Sequence, residues 1–145
     1  MVAVASPVYR APLRSRRDDV DHAAAVDRAL RRGVVGVGEP TDERTERRLE
    51  RFAAAPDGSF VWTRHPAAGT AHLGRMTGPV RTDPAGDAVD LVHVRDCDWL
   101  AEPVDASLVP AAVAQTFARG GRNLQQIHPG DVEARTAAVW ERLSS

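Results

Sequence analysis

The chain predicts an α+β fold, a small curled β-sheet or barrel flanked by about four helices. One observation is a hairpin signature. Phe60-Val61-Trp62-Thr63 has high β-propensity and follows the turn-forming run Pro56-Asp57-Gly58-Ser59. A second turn, Pro66-Ala67-Ala68-Gly69, separates it from His72-Leu73-Gly74-Arg75-Met76-Thr77. Another is the corner at Gly78-Pro79, after which Val80-Arg81-Thr82-Asp83 runs on to the turn Pro84-Ala85-Gly86, so a short sheet could curl toward closure. The third is the set of apolar stretches at helical spacing on both sides of this centre.

The remaining elements follow in order. Residues 1–17 hold Pro7, Pro12 and the cluster Arg10, Arg14, Arg16 and Arg17. They read either as a solvated terminus with an edge strand at Val2–Ala5 or Val8–Tyr9, or as an extended arm lying along phosphates. Asp18-Asp19 offers an N-cap for a helix to about Arg32, with Val20, Ala23, Val26 and Leu30 on one face and Gly33 as its stop. Val34 to Gly38 reads as a buried strand. Thr41 caps a second helix reaching about Ala55, whose mixed Arg and Glu surface reads as a solvated face or a phosphate-binding stripe. Ala88 to Arg95 reads as a strand, with Asp96 to Leu100 as its edge or exit. Pro110 opens a third helix that buries Val113 and Phe117 and ends at Gly120-Gly121. Asn123 to Ile127 reads as the last strand. Asp131 caps a closing helix with Val132, Thr136, Val139, Trp140 and Leu143 on one face, Trp140 docking it. Residues 18–145 thus read as one domain behind the N-terminal arm.

Composition excludes several chemistries. All 19 basic residues are arginine, which removes any Schiff-base lysine, P-loop lysine or lysine-dependent PD-(D/E)xK nuclease centre. A net charge of -1 supplies no global basic field, so a nucleic-acid contact would need a local arginine patch. The single Cys97 permits no internal disulfide and suits a cytoplasmic protein, and no apolar run has the length of a membrane span. His93, Cys97, Asp96 and Asp98 alternate faces on a strand and lack a second zinc-spaced ligand pair. Nucleophile elbows and dinucleotide fingerprints are missing from the sequence. The expectation is therefore a binding protein and not an enzyme, with no catalytic residues, metal or cofactor.

Val34-Val35-Gly36-Val37-Gly38, the segment Leu73 to Asp83 (LGRMTGPVRTD) and Val94 to Leu100 (VRDCDWL) carry a resemblance. They are similar to the glycine-bearing strand, the I-G-x-V-T-G-P-Y-x-Y-D strand and the V-x-W-L strand of EVE-type members of the PUA-like superfamily. Related modules stand at the N-terminus of Mrr-like and McrB-like modification-dependent restriction proteins. The likeness spans roughly residues 33 to 128 and rests on short motifs. Here Val80 and Thr82 stand where the family often has aromatics, and Glu39-Pro40 replaces an aromatic after the first strand.

The resemblance implies a PUA-like domain over residues 18–145 that reads nucleic acid, DNA in preference to RNA, through a modified base such as a methylated one, flipped into a pocket. A separate nuclease or other effector protein would supply any reaction. The pocket would lie between the Val34–Gly38 strand, the Trp62 strand and the Leu73–Asp83 segment. Trp62 would be the stacking platform, or else a core tryptophan. Asp83 or His93 would read the base edge. Gly36 and Gly38 would admit the base to the backbone, or simply relieve packing. Arg64, Arg75, Arg81, Arg119 and Arg122 would contact phosphates. A protein-interaction or regulatory module is the alternative, and a small-molecule enzyme the third.

Overall fold

The computed structural model describes residues 6–128 and 130–144. Six strands, β1 (Val8–Arg10), β2 (Val34–Val37), β3 (Phe60–Arg64), β4 (Ala71–Thr82), β5 (His93–Trp99) and β6 (Gln125–Gln126), form one open mixed sheet in the order β2-β5-β4-β3-β1-β6. Four helices accompany it: α1 (His22–Arg32), α2 (Glu43–Ala54), α3 (Ala111–Ala118) and α4 (Val132–Leu143). This is the α+β architecture that the sequence predicts. None of the helices among the described residues is long and apolar enough to cross a membrane.

Alternation along β3 explains the layering. Phe60 and Trp62 point into one apolar cluster with Val8, Leu73, Val113, Ile127, Val132 and Val139, whereas Val61 joins another with Ala25, Val26, Ala29, Val35, Phe52 and Met76. The two sheet faces therefore bury separate cores, α1 and α2 contributing to one, α3 and α4 to the other. Such double burial is why Phe60 to Thr63 is buried without interruption.

β3 and β4 pair as the expected antiparallel hairpin, Trp62 opposite Leu73. β4 then bends where its register against β5 shifts between Thr77 and Arg81. Gly78 takes φ 68° at this bulge, a value few side chains accept. Its carbonyl accepts a 2.9 Å hydrogen bond from Arg95 Nε. Arg95 is 1% exposed, and its Nη1 donates to the carbonyls of Phe52 and Ala55, satisfying the C-terminus of α2.

Several boundaries differ from the sequence expectations. β1 is an inner strand, parallel to β3 and covered on its other side by β6, and Ala11 and Leu13 beyond it are buried. The run of residues 8–13 is thus neither an edge nor an arm. The Val2–Ala5 alternative lies outside the described residues. Asp21, not Asp18-Asp19, caps α1, accepting from the amides of Ala23 and Ala24, and Asp42 rather than Thr41 caps α2 through a reciprocal box with Thr45. Ala88 to Val92 is not strand: a 3-10 turn covers Pro84–Val89, and Asp90 ends it in the left-handed region. β5 begins at His93 and continues through Asp96 to Trp99 between β2 and β4, so the supposed exit is strand interior. Asp131 makes no capping bond because its carboxylate is engaged by Arg135, and Leu143 is 40% exposed.

Candidate functional site

A cleft of about 280 Å³ opens where five segments meet: residues 11–17 after β1, the end of β2 with Gly36 to Glu39, the first turns of α2, the Asp87–Leu91 turn and the loop 122–124. Each is placed by a local cause. The 11–17 segment emerges from an inner strand and is tied down by Ser15 Oγ donating to Asp90 at 2.6 Å, Arg16 donating to Asn123 at 3.3 Å and Arg122 donating to the Arg16 carbonyl at 3.3 Å. The Asp87–Leu91 turn is held by the Asp83 carboxylate, which accepts from Arg28 Nη2 of α1 at 2.9 Å.

The walls are apolar, from Leu13, Val37, Leu49, Leu91 and Leu124, and the rim is charged. Arg14, Arg16, Arg48 and Arg122 all line the cleft, and none of the four forms an ion pair among the described residues. Arg48 Nη1 is buried without a hydrogen-bond partner. Burial, with Arg16 and Arg44 nearby, pulls the Arg48 guanidinium below the usual arginine range. The acids of the cleft are otherwise engaged: Asp90 with Ser15, Asp87 with Arg17 and Glu39 with His93. Leu13 and Asp90, the two non-glycine residues with positive φ among those described, both face this cleft at φ 56°. Residues in that region cluster at ligand sites because strain persists only where packing enforces it.

Of the residues singled out from sequence, Gly36, Gly38 and Arg122 reach the cleft. Gly36 is required by packing as well: a β-carbon there would meet Val94 at 2.8 Å and the His93 carbonyl at 2.9 Å. Trp62 is fully buried, its Nε1 donating to Thr136 Oγ1 at 3.2 Å, so it is a core tryptophan and has no free face for stacking. Asp83 binds Arg28 and does not line the cleft; the hydrogen bond from Arg28 holds its carboxyl below the ordinary value. His93 stands behind Glu39, its ring nitrogen 3.2 Å from that carboxylate. Arg75 lies over the Phe60 ring at 4.4 Å and donates to Gly58 and Ser6, a structural role. Arg81 pairs with Asp96 at the surface, and Arg119 is exposed beyond α3. Arg64 lines a second cavity, described below.

Sequence reasoning missed Arg48, Asp90 and Ser15 as site members. Arg14, Arg16 and Arg17 were visible as a basic cluster, and all three line the cleft. Arg48 sits among six other charged α2 residues, Glu43, Arg44, Glu46, Arg47, Glu50 and Arg51, and only the tertiary fold distinguishes it. Among the described residues, no aromatic side chain lines the cleft.

No protein-family model matches the chain, and no curated protein matches it. Solved structures do. The YTH domain of the Zygosaccharomyces rouxii MRB1 protein, in complex with N6-methyladenosine RNA, matches over 99% of this chain and 90% of its own, with 15% identity and a TM-score of 0.56. The Mmi1 YTH domain, in complex with RNA, matches over 96% of this chain and 83% of its own, with 10% identity and a TM-score of 0.55. At these identities the likeness is one of fold: the chain has the α+β fold of YTH domains.

Proposed function

We propose that this protein is a non-catalytic nucleic-acid-binding module that receives an unstacked nucleotide in the arginine-rimmed cleft. The observation that carries the reading is the group of four guanidiniums, without an ion pair among the described residues, around apolar walls. A base extruded from its stack needs apolar surfaces against its faces and polar groups at its edge, while its phosphates need cations. Leu13, Leu49, Leu91 and Leu124 would supply the first and Arg14, Arg16, Arg48 and Arg122 the last. The free lone pairs of Asp90 and the backbone beside Gly38, both lining the cleft, would meet the edge of the base. The volume is at the small end of ligand pockets, the scale of a single base.

The fold shared with two RNA-bound YTH domains supports this reading; the overall charge of -1 does not, and leaves the local arginine patch as the attraction. The EVE-type resemblance extends it to a modified base and to modules like those of Mrr-like and McrB-like proteins, where DNA would be the target and a separate effector would act. Without an aromatic side chain in the cleft, a methyl group on the base would be held by leucines and not by a cage. A protein-docking module would need an exposed apolar patch. Leu143 is the one large hydrophobic side chain exposed among the described residues.

The test is fluorescence anisotropy with single-stranded RNA, single-stranded DNA and duplexes, plain or bearing methylated adenine or cytosine, at two salt concentrations. Binding to single strands that weakens steeply with salt, and weakens again in Arg48→Gln, is expected. No binding at low salt by any of these probes would overturn the proposal.

A further inference from the structure

Beside the cleft lies a second cavity of about 220 Å³, and the two share Pro12 and Arg14 in their walls. Its other lining includes Arg10, His22, Arg64, Phe117 and the Gly120-Gly121 pair. Arg10 is 5% exposed, yet every acceptor it meets is neutral: the carbonyls of Thr116, Gly120 and Asn123, the Thr116 hydroxyl and the Gln125 amide oxygen. Its Nε is buried with no partner at all. Burial, and after it the charge of another cation, Arg119, pulls its pKa down. A buried cation without a counter-ion is expensive and is normally paired. Arg14 and Arg64, also lining this cavity, form no ion pair among the described residues.

We infer that this second cavity is an anion subsite, taking the phosphodiester that joins the nucleotide in the main cleft to its neighbour. The inference rests on the proposed nucleotide reading of the cleft and deepens it. Arg10 supplies a fixed positive charge at the back of the cavity, Arg64 closes it from the exposed end of β3, and Arg14 stands on the divide where it reaches both sites. Phe117 offers the neighbouring base an apolar surface. The ligand is then a single strand of at least two nucleotides, RNA or DNA, whose shared phosphodiester is what the subsite recognises.

The experiment compares a nucleoside with single-stranded trinucleotides of RNA and of DNA, by calorimetry on the full chain, with wild type and Arg64→Gln at two salt concentrations. Arg64 is exposed and outside the main cleft, so the substitution leaves the fold and the nucleoside site intact. The expected result is at least roughly tenfold tighter binding of a trinucleotide than of the nucleoside. Arg64→Gln should then remove several-fold of that gain and lower the salt slope by about 0.7, the loss of one phosphate contact on a single strand. Its nucleoside affinity should be unchanged. A nucleoside that binds as well as both trinucleotides, or an Arg64→Gln protein indistinguishable from wild type, would overturn the subsite and leave the main cleft standing. If no probe binds, the nucleotide reading falls and the subsite with it. The RNA and DNA arms separately show which backbone is preferred.

Discussion

Gly38 and Asp90 are packed so closely that a β-carbon at position 38 would lie 2.6 Å from a carboxylate oxygen of Asp90. Asp90 has little freedom to retreat, since its other oxygen accepts from Ser15 and its backbone is fixed at φ 56°. Gly38→Ala should therefore displace the carboxylate and break the Ser15 bond. The expected cost is about 1 kcal/mol of stability in urea unfolding, together with weaker nucleotide binding as the cleft floor moves.

Trp62→Ala should behave as a core deletion, losing about 3–5 kcal/mol. Trp62→Phe keeps much of the volume and removes the indole donor to Thr136, at an expected cost of about 1–2 kcal/mol. Denaturant melts measure both. Trp62→Phe should bind nucleotides like wild type, because the ring packs in the core that α3 and α4 cover and not in the cleft.

Arg95 joins the β4 bulge, the α2 C-terminus and Asp57 through one side chain. Arg95→Met retains the aliphatic stem and strands the carbonyls of Gly78, Phe52 and Ala55. A loss of about 2–4 kcal/mol is expected, the largest of the single arginine substitutions discussed here, read from the urea midpoint at constant slope.

Arg48→Gln should do the opposite of Arg95→Met. Its Nη1 has no partner and its charge stands among other arginines, so removing it should leave stability within about 0.5 kcal/mol of wild type. Oligonucleotide affinity should nevertheless drop several-fold at low salt, with a shallower salt dependence. Thermal melts and anisotropy on the same preparation separate the two effects.

The Arg28–Asp83 pair predicts a pH dependence. Asp83 has a folded pKa below its ordinary value because Arg28 donates to it. Its contribution is therefore fully present above the unfolded carboxylate pKa, and is lost as pH falls through the lower folded value. Asp83→Asn should flatten part of the acid limb of a stability profile between roughly pH 5 and 2. Near neutral pH the variant should be less stable than wild type, and the gap should narrow on acidification.

Local chemistry made much of this fold legible. The β3–β4 hairpin, Gly33 as a helix stop and Gly78-Pro79 as a corner are each written in a few adjacent residues. The 3-10 turn was not, because Val89, Leu91 and Val92 are buried like strand residues while Asp90 takes a backbone conformation that no pattern of apolar residues announces. β1 was illegible for a different reason. Three residues do not reveal whether they form an edge or are enclosed by partners much later in the chain, Phe60–Trp62 and Gln125–Gln126. The candidate site suffered most, since Arg14, Arg48, Asp90 and Arg122 come from four separate segments and only the tertiary fold assembles them. Trp62 shows the complementary case: its residue type suits base stacking, but alternation along β3 sends its ring into a core, the other of the two roles its sequence allowed.

The enclosure of β1 has a consequence for how the chain reaches this state. Val8–Arg10 emerges before β3 and β6, yet it pairs with both, and Arg10 bonds to Thr116, 106 positions onward. Before those late residues exist, this strand can only present an open apolar edge and an unsatisfied guanidinium. Closure must therefore be a late, long-range event that slows folding relative to the local hairpin. Both cavities border the seam so formed, so they are among the last features of the molecule to be built.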